Sequence, residues 1–258
     1  TTPIFPLMTD RAVFDTYAEF YDLLYEGKDT AGEVEWILHE LHEAGMPNLG
    51  SVLELGAGTG RHAVALADRG HRVVAVEPSQ PMLDKAREHH SVHYLKGDAR
   101  AVRVGEKFDA VLSLFHVLSY HTEPHDVRGF FETASQHLPS GGLLGFDVWY
   151  SPAVHFLRPE ARVLSRENEA LEISRSATAT EELNRSLVTV DYACSSRSKE
   201  TGVQTSFRES HVMRHFTATE ITSFAAEHSF DVVSSKEFMT NAEPSRETWG
   251  VWFTLRKI

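Results

Sequence analysis

Between residues 51 and 149, short apolar runs alternate with stretches whose apolar residues recur every three to four positions. The runs SVLEL (51–55), RVVAVE (72–77), VHYLKGD (92–98), FDAVLSLF (108–115) and LLGFDVW (143–149) read as strands. The stretches at 61–70 (closed by Gly70), around 81–90 and near 125–138 read as helices, the last followed by the turn Pro139-Ser140-Gly141-Gly142. Upstream, Val13, Phe14, Tyr17, Phe20, Tyr21, Leu24 and Tyr25 fall at helical spacing between Arg11 and Gly27. A second helix is expected from Thr30 to Ala44, stopped by Gly45 with Pro47 beyond. Strands and helices alternating at this pace imply βαβ crossovers and a parallel sheet covered on both faces.

The pattern changes after Ser151. Residues 161–215 alternate apolar and polar side chains, which predicts antiparallel strands with one wet face, turning at Glu182-Leu183-Asn184 and near Thr201-Gly202. Thr217 and Glu220 form a capping box for a helix to His228, and FDVVSSKEF and TWGVWFTLRK close the chain as two strands. The chain of 258 residues therefore divides into segments 1–48, 49–150, 151–216 and 217–258.

Composition narrows the class. At 41% hydrophobic and 24% charged, the sequence matches a globular domain, and no apolar run approaches the ~20 residues that cross a bilayer. No secretory signal is visible at the N-terminus, and one cysteine, Cys194, suits a reducing compartment, so a cytoplasmic location is expected. A net charge of −12 argues against a nucleic-acid partner.

The segment Val52-Leu-Glu-Leu-Gly-Ala-Gly-Thr-Gly60 lies between a strand and a helix, where glycines allow a tight turn and a close approach of backbone to ligand. Arg61 stands where a dinucleotide fingerprint wants glycine or alanine, and no phosphate-loop lysine follows. Glu77 ends the second strand, seventeen positions after Gly60, where an acid can accept both hydroxyls of a ribose. Met82 follows at a distance suited to stacking on adenine, and Asp98 ends the third strand after Gly97. Taken singly, each acid also suits a solvated turn or a helix cap.

In this order the motifs resemble those of class I S-adenosylmethionine-dependent methyltransferases, over roughly residues 50 to 150. The resemblance implies a Rossmann-like α/β sheet of seven strands, the last antiparallel, with the antiparallel β region inserted after the fifth strand. It implies S-adenosylmethionine as cofactor: Glu54, Gly56, Ala57, Gly58 and Gly60 near its methionine part, Glu77 and Pro78 at the ribose. Met82, Asp98 and Ala99 fall at adenine, and Leu114 or Phe115 beside the sulfur. Segment 1–48 becomes a helical lid, with Tyr21 toward the cofactor carboxylate and Tyr17 and Tyr25 toward the acceptor. The aromatic N-terminal helix and the placed insert are also similar to amino-sugar and lincosamide-type N-methyltransferases of antibiotic pathways. That implies a small-molecule amine as the partner.

An amine needs only to be held in line with the methyl group, whereas a hydroxyl acceptor would profit from a base worth ~10²–10⁴-fold. Phe115 and His116 follow the fourth strand as the floor of an acceptor pocket, and Trp149-Tyr150 as its wall. His116 fits a general base, in which case O-methylation is the alternative activity, or a structural imidazole. The tyrosine stripe fits either a catalytic lid or plain packing. No metal is expected: His116, His121 and His125 lack a completing ligand, and His121/His125 read as an exposed helical pair. The insert's strand edges are candidates for self-association.

Overall fold

The computed structural model describes Phe14 and residues 16–258. In chain order its elements are α1 (Tyr21–Leu24), α2 (Thr30–Glu43), β1 (Ser51–Leu55), α3 (Arg61–Ala67), β2 (Arg72–Glu77), α4 (Gln80–Leu83), β3 (Val92–Lys96), β4 (Ala110–Ser113) and α5 (Pro124–His137). There follow β5 (Leu143–Trp149), α6 (Ser151–Leu157), β6 (Arg162–Glu167), β7 (Leu171–Glu182), β8 (Leu187–Ser198), β9 (Gln204–Arg214), α7 (Ala218–Glu227), β10 (Phe230–Glu237) and β11 (Gly250–Lys257).

Seven strands form one sheet in the order β10-β11-β5-β4-β1-β2-β3, with β11 antiparallel to both neighbours and the rest mutually parallel. β1, β4 and β5 are buried along almost their whole length, as both faces carry helices. One layer packs Phe130, Phe131, Phe146, Phe224 and Phe253, and the other Val34, Ile37, Leu41, Leu66 and Trp252. The expected insert is a separate antiparallel sheet, β6-β7-β8-β9. Register puts Arg175 opposite Cys194, Tyr192 opposite Glu209 and Val190 opposite His211, so these six share one face. No helix of the described residues is long and apolar enough to cross a membrane.

Three local expectations need correction. The helix expected over 11–27 is broken among the described residues, with Val13 lying outside them: Tyr17–Glu19 is a 3-10 turn, Phe20 sits at φ −110° and ψ −2°, and only Tyr21–Leu24 is α-helical. Tertiary contacts override the periodicity, because Glu209 of β9 accepts the backbone N–H groups of Phe14 (3.1 Å) and Tyr17 (2.8 Å). Phe20 stacks on Phe207, with centroids 5.4 Å apart. The helix expected around 81–90 is one turn, since Arg87 N–H donates to Thr59 O and its carbonyl accepts from Tyr94 Oη (2.7 Å). A short helix with Pro152 in its first turn, α6, was not foreseen.

Candidate active site

A crevice opens beyond the carboxyl ends of β1, β2, β4 and β5, where the strand order switches direction between β1 and β4. A cavity of about 630 Å³ fills it. It is walled by Gly56, Ala57, Gly58 and Leu114 on the sheet side and by Glu77, Pro78, Met82, Asp98 and Ala99 along β2 and β3. Tyr17, Tyr21 and Tyr25 of the N-terminal segment enclose it, with Phe115 and His116 beyond β4. Fifteen of the eighteen residues that the sequence places at the cofactor or the acceptor thus meet in one space. Glu54 and Gly60 do not border it.

The glycine turn is locked from below. The N–H groups of Gly56 and Ala57 donate to Val76 O (2.8 and 3.0 Å), and that of Gly58 donates to Glu77 Oε2 (2.8 Å). Gly56 holds φ +80°, and a Cβ there would come 2.5 Å from Val117, so both conformation and space require glycine. Gly60 has a packing role: at φ +76° it caps α3, and a Cβ would fall 1.9 Å from Tyr94 Oη.

Two carboxyls flank this turn. Glu77 is buried and accepts from Gly58 and Ser79 (2.9 Å), and burial outweighs these bonds to raise it above its ordinary range. Glu54 lies beneath, 1% exposed, with Oε2 lacking a hydrogen-bond partner among the described residues. Burial, and then the nearby Glu77, push its carboxyl up to about 8.

At the far end, Arg100 grips Asp98 (Nε to Oδ1 2.9 Å) and bridges to Asp126, holding the Asp98 carboxyl below the usual range. His121 corrects the exposed-pair reading. It borders the cavity buried beside Phe130, and burial drives its pKa down to about 4, whereas His125 alone is exposed. The two are not on one helix, because the turn through Tyr120 ends at His121 and α5 begins at Pro124.

The N-terminal segment is fastened to both halves. Asp22 accepts from Thr59 Oγ1 (2.9 Å), and Arg61 donates to Tyr25 O (2.9 Å). Arg175 of β7 donates to Tyr17 Oη and Tyr25 Oη, the second at 3.2 Å. Tyr17 also stacks on Tyr192 at 5.6 Å, and burial raises its phenol well above the ordinary value. The tyrosines therefore pack and border the cavity at once.

The other end of the cavity is aromatic, formed by Phe115, Trp149, Tyr120, Tyr192 and His211. Tyr150, expected as a wall, does not border it. Lys28 Nζ lies 4.1 Å from the Phe115 ring centroid, held by Glu33 at 2.7 Å, which also meets His62 Nε2 at 2.9 Å. Sequence reasoning missed Lys28, Arg61, His62, Tyr120, Tyr192, His211 and Met213. Arg61 and His62 were readable as the first helical residues after the glycine turn; the insert residues depend on a docking that no local pattern encodes.

Residues 52–142 match the family model described as a methyltransferase domain. With the seven-stranded sheet, the glycine turn and the strand-end acids, this identifies residues 52–142 as a methyltransferase domain of the S-adenosylmethionine-dependent class. The cavity fits that cofactor: glycine leaves the space above the turn free, and a buried carboxylate ends β2 where ribose hydroxyls would lie. The chain is 26% identical to the putative methyltransferase YqeM of Bacillus subtilis over 250 residues, covering 95% of this chain and 97% of that one. It is 31% identical to the dTDP-3-amino-3,4,6-trideoxy-alpha-D-glucopyranose N,N-dimethyltransferase of Streptomyces venezuelae, over 53% of this chain and 58% of that one. The sugar N-methyltransferase KedS8 from Streptoalloteichus superposes with a TM-score of 0.82 at 23% identity, covering 97% and 96% of the two chains.

Proposed function

We propose that the protein transfers a methyl group from S-adenosylmethionine to the amine of an amino sugar or of a compound carrying one. The observation that carries this reading is the aromatic acceptor end, where Phe115, Trp149, Tyr192 and Tyr17 surround a space next to Leu114. Aromatic faces suit the apolar side of a sugar ring, while phenol groups at the rim meet its hydroxyls. The names of the amino-sugar relatives support the same acceptor class.

The cofactor supplies a methyl group on a positively charged sulfur that departs as a neutral thioether. Around it Glu77 would accept the ribose hydroxyls, with Pro78 beside it; Met82, Ala99 and Asp98 would hold the base. Gly56, Ala57 and Gly58 would bring backbone close to the amino-acid part, with Tyr21 over it and Leu114 next to the sulfur. Glu54 contributes from below the turn, as a buried carboxyl rather than a direct wall. Tyr17, Tyr25 and Phe115 would fix the acceptor on the methyl axis. Orientation of this kind lowers a barrier by about 7–11 kcal/mol, so the enclosed cavity does most of the catalysis by holding two reactants in line.

The test is calorimetric titration with S-adenosylmethionine, then with amino sugars and lincosamide-type amines. Micromolar cofactor binding and turnover of a free amine are expected. Turnover of hydroxyls alone would replace this reading with O-methylation.

A further inference from the structure

We propose that His116, oriented by Asp147, removes the proton from the acceptor ammonium before methyl transfer; this rests on the amine reading above. Asp147 lies on β5, 1% exposed, and its Oδ2 is 2.7 Å from His116 Nδ1 and 3.2 Å from the His116 backbone nitrogen. One buried carboxylate thus holds both the ring and the backbone of the residue at the cavity floor. The carboxylate lies against Nδ1 as an ion-pair partner rather than through an aligned hydrogen bond, and its charge favours the proton on that nitrogen, with Nε2 as the acceptor. Nε2 has no partner among the described residues. Burial works to raise the Asp147 carboxyl, but the facing imidazole and backbone N–H outweigh it and keep it below the usual range.

The backbone supports the same role. Phe115 and His116 stand at φ +66° and +62°, two successive non-glycine residues in the left-handed region. Such residues cost about 1–3 kcal/mol each and persist where the surroundings impose them. The His116 ring stacks on Phe115 and meets Trp149 edge-on, and Gly250 leaves it room, since a Cβ there would come 3.3 Å from its Cε1.

The charges at this end call for proton removal. Lys28 over Phe115 and the positive sulfur both disfavour an ammonium, and free aliphatic amines are mostly protonated near pH 7. The lining acids Glu77 and Asp98 serve the opposite end. His62 turns Nε2 to Glu33, and His211 turns its two nitrogens to Tyr120 and Glu209. The charged groups that act on Asp147 are Lys28 and His62 of α3, and His62 is in turn flanked by Glu33 of α2 and Glu54 of β1. In the step, R–NH3+ gives one proton to Nε2, leaving R–NH2 and an imidazolium beside the Asp147 carboxylate. The amine lone pair then forms the N–C bond as the C–S bond breaks, its electron pair staying on sulfur. The product R–NH2CH3+ carries the positive charge.

The experiment is the pH dependence of kcat/KM for wild type, His116→Asn and Asp147→Asn with an amino-sugar acceptor. Calorimetric binding of S-adenosylmethionine serves as the folding control. Asparagine tolerates the left-handed backbone of position 116. The expected deficit of His116→Asn is at least ~10²-fold at pH 6.5. It should shrink by up to tenfold per pH unit as the free amine becomes available, and Asp147→Asn should follow the same trend. A deficit equal at every pH, or none at pH 6.5, overturns the proposal while leaving amine methylation intact. Methylation of hydroxyls alone by the wild type overturns both.

Discussion

Replacing Glu54 with glutamine removes a buried carboxyl without changing its size, and the consequence depends on pH. The folded protein holds the Glu54 proton up to about pH 8, whereas the unfolded chain releases it near 4.5. Because the folded pKa is raised, the penalty is absent below the unfolded value and grows as pH rises, levelling off above the folded one. Each unit is worth about 1.4 kcal/mol, so at pH 7 ionisation of the unfolded chain costs the wild type about 3 kcal/mol. Glutamine has no such penalty. At about 2–4 °C per kcal/mol, Glu54→Gln should gain roughly 6–12 °C in Tm over wild type at pH 7, relative to their difference at pH 4.5. Any fixed cost of burying the amide shifts the whole curve; the slope is the signature. Differential scanning calorimetry of both proteins from pH 4.5 to 8.5 measures it, and a Tm difference that stays flat across this range would refute the reasoning.

Glu77→Ala should lower affinity for S-adenosylhomocysteine at least ~10²-fold, because it removes a charged acceptor from a buried site and frees the Gly58 and Ser79 N–H groups; unchanged affinity by calorimetry would dismiss the ribose assignment. Tyr17→Phe and Tyr25→Phe should each reduce kcat while leaving cofactor affinity nearly intact, since both phenols are held by Arg175 at the acceptor end; wild-type kcat in both variants would reduce the tyrosines to packing. Gly60→Ala should destabilise by about 1–3 kcal/mol through backbone strain, with a further loss as Tyr94 is displaced from Arg87 O, read as a lower urea midpoint.

The core was legible because its signals are local. Strands such as Leu143–Trp149 are mostly apolar runs bounded by turn residues, and the capping box of Thr217 and Glu220 starts α7 at the expected place. The glycine turn, Glu77 and Asp98 were readable for the same reason, each sitting at a strand end. What escaped depends on distant contacts. Tyr17 leaves helical geometry because Glu209, 192 positions later, takes its N–H. Asp147 reads as one polar residue in an apolar strand, and only the pairing of β4 with β5 brings it beneath His116. Tyr192 and His211 enter the cavity through the docking of the insert sheet, which alternation alone does not specify.

The central claim is methyl transfer from S-adenosylmethionine to a sugar amine. Its most direct test incubates the protein with the cofactor, a panel of free amino sugars and the same sugars with the amine acetylated, and reads the products by mass spectrometry. One or two added methyl groups are expected on free amines and none on acetylated ones. Methylation of both sets alike, or of neither, would contradict it.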